Sequence, residues 1–77
     1  MSIRIKLFGL LADIVGNPDM DMNGINDTDS LKNKLLNDFP KLKDQNFLVV
    51  VSKQVVKENQ TLKPDDVVAL LPPFAGG

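Results

Sequence analysis

The residues that most clearly suggest a chemical role are the last six of the sequence, Pro72-Pro73-Phe74-Ala75-Gly76-Gly77. Paired prolines lack the N–H groups that a sheet needs, so a strand must stop there and the chain continue along a stiff, extended path. Glycines have no Cβ and let a backbone pass through a narrow channel. The pattern predicts that Gly77 presents a carboxylate on a slender stalk, which a partner protein can take into its active site.

A carboxylate presented in this way can be activated chemically. A partner enzyme that uses ATP can convert it to an acyl-adenylate, from which a nucleophile displaces AMP. From Phe74 to Gly77 the stalk reaches at most about 14 Å, at about 3.3–3.6 Å per residue. That reach delivers the carboxylate while the rest of the chain stays outside. We therefore expect no catalytic residue and no bound cofactor in this chain, with ATP used by the partner enzyme.

Composition argues against most other chemistry. The 77 residues include no cysteine and no histidine, which removes thiolate nucleophiles, zinc fingers and Ser-His-Asp triads. Nine Lys and Arg against ten Asp and Glu leave a net charge of −1, with no basic block to attract nucleic acid. Asp65 and Asp66 lack further ligands at useful spacing, so we expect a solvated turn and no metal site.

The opening residues and the apolar runs bear on location. Residues 1–6, Met-Ser-Ile-Arg-Ile-Lys, alternate charge with apolar side chains and contain no apolar segment typical of a signal peptide. No apolar run approaches the roughly 20 residues that a membrane span needs. We expect a cytoplasmic protein with no membrane partner.

Hydrophobic periodicity predicts the elements that must position this tail. Ile3, Ile5 and Leu7 lie on one face of a first strand. Leu31, Leu35, Phe39 and Leu42 recur at helical spacing after a cap at Asp27 or Thr28. The predicted order is a strand over 2–8, a short helix over 10–15 closed by Gly16, a strand over 19–23, a helix ending near 38 or 39, an interior strand over 47–51, a turn over 52–54, a short strand over 55–56 and a strand over 67–71.

This order predicts an α+β domain with a mixed sheet and one main helix packed on one face. Ubiquitin-like β-grasp is the fold that has this order. We expect a β-grasp domain over residues 1–72 and an extended Gly-Gly tail over residues 73–77.

Phe8 is an apolar residue that falls on the polar face of the first strand. Together with Leu71 and Phe74, near the exit of the tail, it could form an apolar docking patch for a partner. The alternative is that Phe8 packs under the short helix that begins at Leu10. The sequence leaves both interpretations open.

Two segments resemble a known family, and the resemblance spans nearly the whole chain. Residues 5–16, Ile-Lys-Leu-Phe-Gly-Leu-Leu-Ala-Asp-Ile-Val-Gly, resemble the opening strand and helix of the molybdopterin-synthase small subunit. Residues 65–77, which end in Pro-Pro-Phe-Ala-Gly-Gly, resemble its ending. The related sulfur carrier of the thiamin pathway also ends in Gly-Gly but usually lacks the paired prolines. The resemblance therefore favours the molybdenum-cofactor branch.

The resemblance implies a sulfur carrier whose Gly77 is adenylated by an ATP-dependent activating enzyme and converted to a thiocarboxylate. It also implies that Pro73, Phe74, Ala75 and Gly76 insert into the large subunit of molybdopterin synthase, where the sulfur passes to a pterin precursor. Alone, the chain is expected to be non-catalytic. Three alternatives stay open: a sulfur carrier of thiamin or another sulfur-transfer pathway, a ubiquitin-like modifier conjugated through Gly77 to lysines, and a simple binding module.

Overall fold

The computed structural model describes residues 2–73. Its strands are β1 (Ser2–Leu7), β2 (Asp19–Asn23), β3 (Leu48–Val51), β4 (Gln54–Val55) and β5 (Val67–Leu71). Its helices are α1 (Leu10–Val15) and α2 (Thr28–Asp38), and a short 3₁₀-helix follows over Pro40–Asp44. The predicted order of strands and helices is confirmed, whereas the 3₁₀-helix was not predicted.

The strands form one mixed sheet in the order β2-β1-β5-β3-β4. The central strand β5 runs parallel to β1 and antiparallel to β3. Because β3 lies between β5 and β4, it is an interior strand, as its apolar side chains on both faces predict. The mixed sheet with a helical layer on one face confirms the α+β, ubiquitin-like β-grasp prediction.

The hydrophobic core fills the space between the sheet and α2. Ile3, Ile5 and Leu7 of β1 point into it, and their polar neighbours point out, as the period of two predicts. Leu31 and Leu35 of α2 are fully buried. Pro40 has no N–H to continue the helix, so α2 ends at Asp38 and the fully buried Leu42 reaches the core from the 3₁₀-helix.

The turn between β3 and β4 is one residue shorter than predicted. Ser52 and Lys53 both have positive φ, 52° and 66°, which lets two residues reverse the chain. Gln54 therefore pairs directly with Val51, and β4 occupies Gln54–Val55. The prediction of a turn over 52–54 and a strand over 55–56 was wrong by this one position, because neither Ser nor Lys signals positive φ.

The start of α2 is tied to the loop before β5 by Asn59. Its Oδ1 accepts a hydrogen bond from the backbone N of Asp29 at 2.9 Å, and its Nδ2 donates to Asp27 Oδ2 at 3.2 Å. The backbone N of the buried Thr28 donates to the backbone O of Gln60, and Thr28 Oγ1 accepts from the backbone N of Gln60. Both hydrogen bonds are 2.9 Å long. These bonds satisfy amide groups that a helix N-terminus leaves without partners.

The predicted cap of α2 is Asp27, whose Oδ1 accepts a hydrogen bond from the backbone N of Ser30 at 2.9 Å. The hydrogen bonds from Ser30, followed by the one from Asn59, lower the pKa of the Asp27 carboxyl below its usual 3.8. The stability that this carboxylate contributes is therefore fully present above pH 3.8 and is lost as the pH falls through the lowered pKa.

We expect Asp27→Asn to lower the melting temperature at neutral pH, because an amide at this position points N–H groups at the Asn59 amide, which is itself a donor. The difference from the unsubstituted chain should shrink as the pH falls through the lowered pKa of Asp27. Thermal melts followed by circular dichroism from pH 7 down to pH 2 measure it. A melting-temperature difference that stays constant over this pH range would contradict a stabilising role of the ionised Asp27 carboxylate.

Asp65 and Asp66 form a turn. Asp65 has a φ of 70°, and its backbone N donates to the backbone O of Ser2 at 3.1 Å. Asp66 Oδ2 accepts a hydrogen bond from the backbone N of Lys63 at 2.7 Å. Over the described range 2–73, no three acidic side chains come together in a way that could hold a metal ion.

The helices of the described part of the chain are short. None of them is both long enough and apolar enough to span a membrane. The longest, α2, has 11 residues.

Candidate functional site

The chain leads from the end of the central strand into the predicted tail, residues 73–77. Leu71 is the last residue of β5, and Pro72 and Pro73 follow it. Pro72 is half-buried and Pro73 is exposed. Since neither proline can donate a hydrogen bond to β1 or β3, the sheet ends here, as the sequence predicts. Phe74, Ala75, Gly76 and Gly77 lie outside the described residues, and their predicted roles stay predictions.

Phe8 follows β1 and lies beside this point. Its side chain is 46% exposed and is not part of the core. Its backbone N donates to the backbone O of Leu70 at 3.1 Å, which ties Phe8 to β5. Phe8 and Pro18 are among the residues that line a shallow depression at this point. This exposure favours the docking interpretation of Phe8 over packing beneath α1.

Leu71 lies level with Phe8 on the adjacent strand. Leu7 and Leu70 are aligned in the parallel pairing of β1 with β5, so the next residues, Phe8 and Leu71, are neighbours. Leu7 and Leu70 both point into the core, and their successors therefore face away from the helical layer. We call Phe8 and Leu71 the exit patch. The structure brings these two sequence-predicted residues together at the start of the tail.

The exit patch continues into a larger apolar area on the helix-free face of the sheet. Val67 and Val55, which the sequence analysis did not single out, are 45% and 49% exposed. An apolar side chain on the open face of a sheet is hard to distinguish by sequence from one on the core face. The signal that was available is the run of apolar residues on both faces of β3 and β5. The area consists of Leu48, Val50, Val55, Val67, Ala69 and Leu71.

Charged side chains border this area along β1. Arg4 and Lys6 lie beside β5 on the same face. Arg4 Nε is 3.4 Å from Asp21 Oδ1, and both side chains are 58% exposed. An ion pair this exposed contributes little stability. An apolar centre with a charged border is the usual composition of a protein docking surface.

The end of β5 gives the segment after Leu71 a fixed starting point, and the exposed aromatic residue Phe8 lies beside it.

Solved structures share this architecture. A protein described as molybdopterin converting factor subunit 1 from Pyrococcus furiosus superposes with a TM-score of 0.84 at 18% identity, over 96% of this chain and 99% of that chain. The small archaeal modifier protein 1 of Methanosarcina acetivorans gives a TM-score of 0.80 at 20% identity, over 99% and 96% of the two chains. At these identities the similarity shows the ubiquitin-like β-grasp fold.

A further similar structure is a complex. It contains subunits 1 and 2 of the molybdopterin-converting factor from Helicobacter pylori, and it matches with a TM-score of 0.74 at 25% identity over 100% of both chains. The sequence itself matches the model of the ThiS family over residues 5–77. This match covers β1 from Ile5 onward, all later strands and helices described above, the exit patch and the Gly76-Gly77 pair. The chain therefore belongs to the ThiS family.

Proposed function

We propose that this chain is a sulfur carrier whose Gly77 is converted to a thiocarboxylate, and that it donates this sulfur as the small subunit of molybdopterin synthase. The observation that carries the proposal is the family match, which extends through the paired prolines to the terminal glycine pair. The position of Pro72 at the end of the central strand supports it, because the tail then starts from the most firmly held part of the sheet.

The proposed chemistry needs two steps at the same carboxyl group. A carboxylate oxygen of Gly77 attacks the α-phosphorus of ATP, and pyrophosphate leaves. A sulfide-level nucleophile then attacks the carbonyl carbon of the acyl-adenylate, AMP leaves with the oxygen, and a thiocarboxylate remains. The partner enzyme supplies the phosphate-binding groups and the nucleophile. This division suits a chain without Cys or His.

The proposed partners are an ATP-dependent adenylating enzyme and the large subunit of the synthase. The complex of subunits 1 and 2 from Helicobacter pylori supports the second partner. We propose that both partners bind the exit patch and take up residues 73–77. Phe8 then serves as the aromatic anchor, since interfaces concentrate binding energy in a few such residues.

Intact mass spectrometry tests the proposal. The chain is incubated with ATP, sulfide and the adenylating enzyme of the same organism, and a chain lacking Gly77 is the control. We expect a mass gain equal to the exchange of one oxygen for one sulfur in the full chain only. No gain with an enzyme that is active on its own carrier would refute the proposal.

The same reaction mixtures distinguish the alternative functions. A protein modifier would form isopeptide-linked species of higher mass with lysine-containing targets, because an amine would displace AMP. For a thiocarboxylated chain, addition of the large synthase subunit and the pterin precursor should yield the dithiolene product. Sulfur transfer to a thiazole precursor instead would assign the chain to the thiamin branch.

Truncating the anchor of the exit patch should weaken docking. We expect Phe8→Ala to raise the KM of the adenylating enzyme for the carrier roughly tenfold, which corresponds to about 1.4 kcal/mol, with little change in kcat. Phe8 is 46% exposed, so the fold should be retained. Steady-state kinetics measure the effect.

Val55→Ala is the matched control for this change. Val55 is exposed to a similar extent as Phe8 and belongs to the same apolar area, but it lies at the far edge of that area on β4, three strands away from β1. Its KM should stay within about twofold, as for most interface truncations outside the main anchors. Equal losses in the two variants would show that docking is not centred on Phe8.

A further inference from the structure

Gly9 packs against Pro72, the residue that precedes the tail. Its backbone has φ 59° and ψ −136°, a conformation that residues with a Cβ rarely adopt. A Cβ at this position would lie 3.1 Å from Pro72 Cγ and 3.9 Å from Pro72 Cδ. The bare Cα of Gly9 therefore makes room for the proline ring.

The turn that carries Gly9 is held from three sides. The Phe8 amide is bonded to Leu70 O of β5, as described above. Phe8 O accepts from the backbone N of Leu11 at 3.2 Å, and Gly9 O accepts from the backbone N of Ala12 at 3.1 Å. Leu11 is only 2% exposed and anchors α1 in the core. The surface that Gly9 presents to Pro72 is therefore fixed relative to the sheet.

Pro72 depends on this surface because it cannot extend the sheet. It has no N–H, so the hydrogen-bonded ladder that aligns β5 with its neighbours no longer directs the chain at this residue. At this residue, the contact between the proline ring and Gly9 replaces the hydrogen-bonded ladder as the restraint on the chain. Because the φ of proline is nearly constant, restraining the ring also restrains the direction of the backbone that follows.

We propose that Gly9 is a positioning residue: its contact with Pro72 sets the direction in which the chain leaves β5. This inference rests on the proposed function in one respect, that the direction matters because Gly77 must reach the adenylation site of a partner. Gly9 touches neither ATP nor the reacting carboxylate. It acts through Pro72.

The kinetic test uses Gly9→Ala and the adenylating enzyme. We expect kcat for thiocarboxylate formation to fall about 10- to 100-fold, because small misplacements of a reacting group cost up to about 100-fold. KM should stay within about twofold, since Phe8 and Leu71 remain. Gly9→Ala is thus expected to change kcat and not KM, whereas Phe8→Ala is expected to change KM and not kcat.

Gly24→Ala is the matched control for backbone strain. Gly24 also has a positive φ, 75°, but no heavy atom lies within 4 Å of its would-be Cβ. It lies in the turn after β2, away from Pro72. We expect kcat to stay within about twofold in this variant, because strain without contact to the tail leaves the reacting group in place.

A double-mutant cycle tests whether Gly9 acts through Pro72. Pro72→Ala removes the Cγ and Cδ atoms that a methyl group at position 9 would meet, and it should lower kcat by itself. Adding Gly9→Ala to Pro72→Ala should then lower kcat no further than Gly24→Ala does, because the contact is already gone. Additive losses in the cycle would overturn the inference.

A second readout does not depend on activity. The chain has no cysteine, so a nitroxide on Ala75→Cys labels it at a single site. The nitroxide broadens the NMR signals of nearby backbone amides by paramagnetic relaxation enhancement. The pattern over residues 2–73 therefore reports where position 75 lies on average. We expect Gly9→Ala and Pro72→Ala each to change this pattern and Gly24→Ala to leave it unchanged.

The two readouts separate the inference from the proposed function. No thiocarboxylate in the unsubstituted chain would refute the function, and the nitroxide pattern would still decide the contact. If Gly9→Ala does not fold, Pro72→Ala carries the test from the other side of the same contact. A Pro72→Ala chain with an unchanged pattern, or a folded Gly9→Ala chain that matches Gly24→Ala, would overturn the inference.

Discussion

Extending the chain by one residue after Gly77, or replacing Gly77 with phenylalanine, should reduce thiocarboxylate formation below detection. The extension moves the carboxylate away from the position that the partner's ATP site reaches. The phenylalanine puts a side chain into a channel that a glycine pair can pass. Intact mass after incubation with ATP, sulfide and the adenylating enzyme measures both effects.

Two controls make this result specific. The same residue added before Met1 leaves the carboxylate unchanged, and this chain should acquire sulfur normally. Circular dichroism should show unaltered folding in all three variants, because residue 77 follows the last strand by six positions. Normal sulfur acquisition by the chain extended after Gly77 would exclude Gly77 as the modified residue.

Leu35→Ala should lower the free energy of unfolding by about 2–5 kcal/mol, the usual cost of emptying a leucine site in a core. Leu35 is fully buried between α2 and the sheet. A chain of 77 residues has roughly 4–12 kcal/mol of stability in total. This one substitution therefore removes a large share of it and should leave part of the population unfolded at physiological temperature.

Leu10→Ala makes the same chemical change at a site that is 52% exposed. It should cost less than about 1 kcal/mol, because little apolar surface returns to water. The chain has no Trp and no Tyr, so urea unfolding is best followed by far-ultraviolet circular dichroism. Equal losses in the two variants would contradict the assignment of Leu35 to the core.

Features that depend on neighbouring residues were predicted well. The period of two in β1 and β2 identified strands whose core-facing residues, such as Ile5 and Met22, are buried. Gly16 ends α1 in a left-handed conformation, φ 89°, and its N–H donates to Ala12 O at 2.8 Å. Each of these signals lies within a few residues of the structure that it predicts.

Some features of the loops and helix ends were not predicted. Asn59 holds the start of α2 from 30 residues away, and nothing in the local sequence distinguishes it from an ordinary loop asparagine. The position of β4 was missed because Ser52 and Lys53 adopt positive φ without the glycine or asparagine that signals it. The partner strand, once in place, determines the turn.

The sequence by itself determined which segments are strands and helices and which faces are apolar, and it predicts that a stalk ending in two glycines carries the chemistry. Only the tertiary structure decided what lies beside the start of that stalk. The parallel pairing of β1 with β5 places Phe8 next to Leu71 and Gly9 against Pro72, across more than 60 positions of chain. The physical reason is that a short-range pattern shows which face of a strand is apolar, whereas the neighbours of that strand in the sheet follow from burying all such faces together beneath α2.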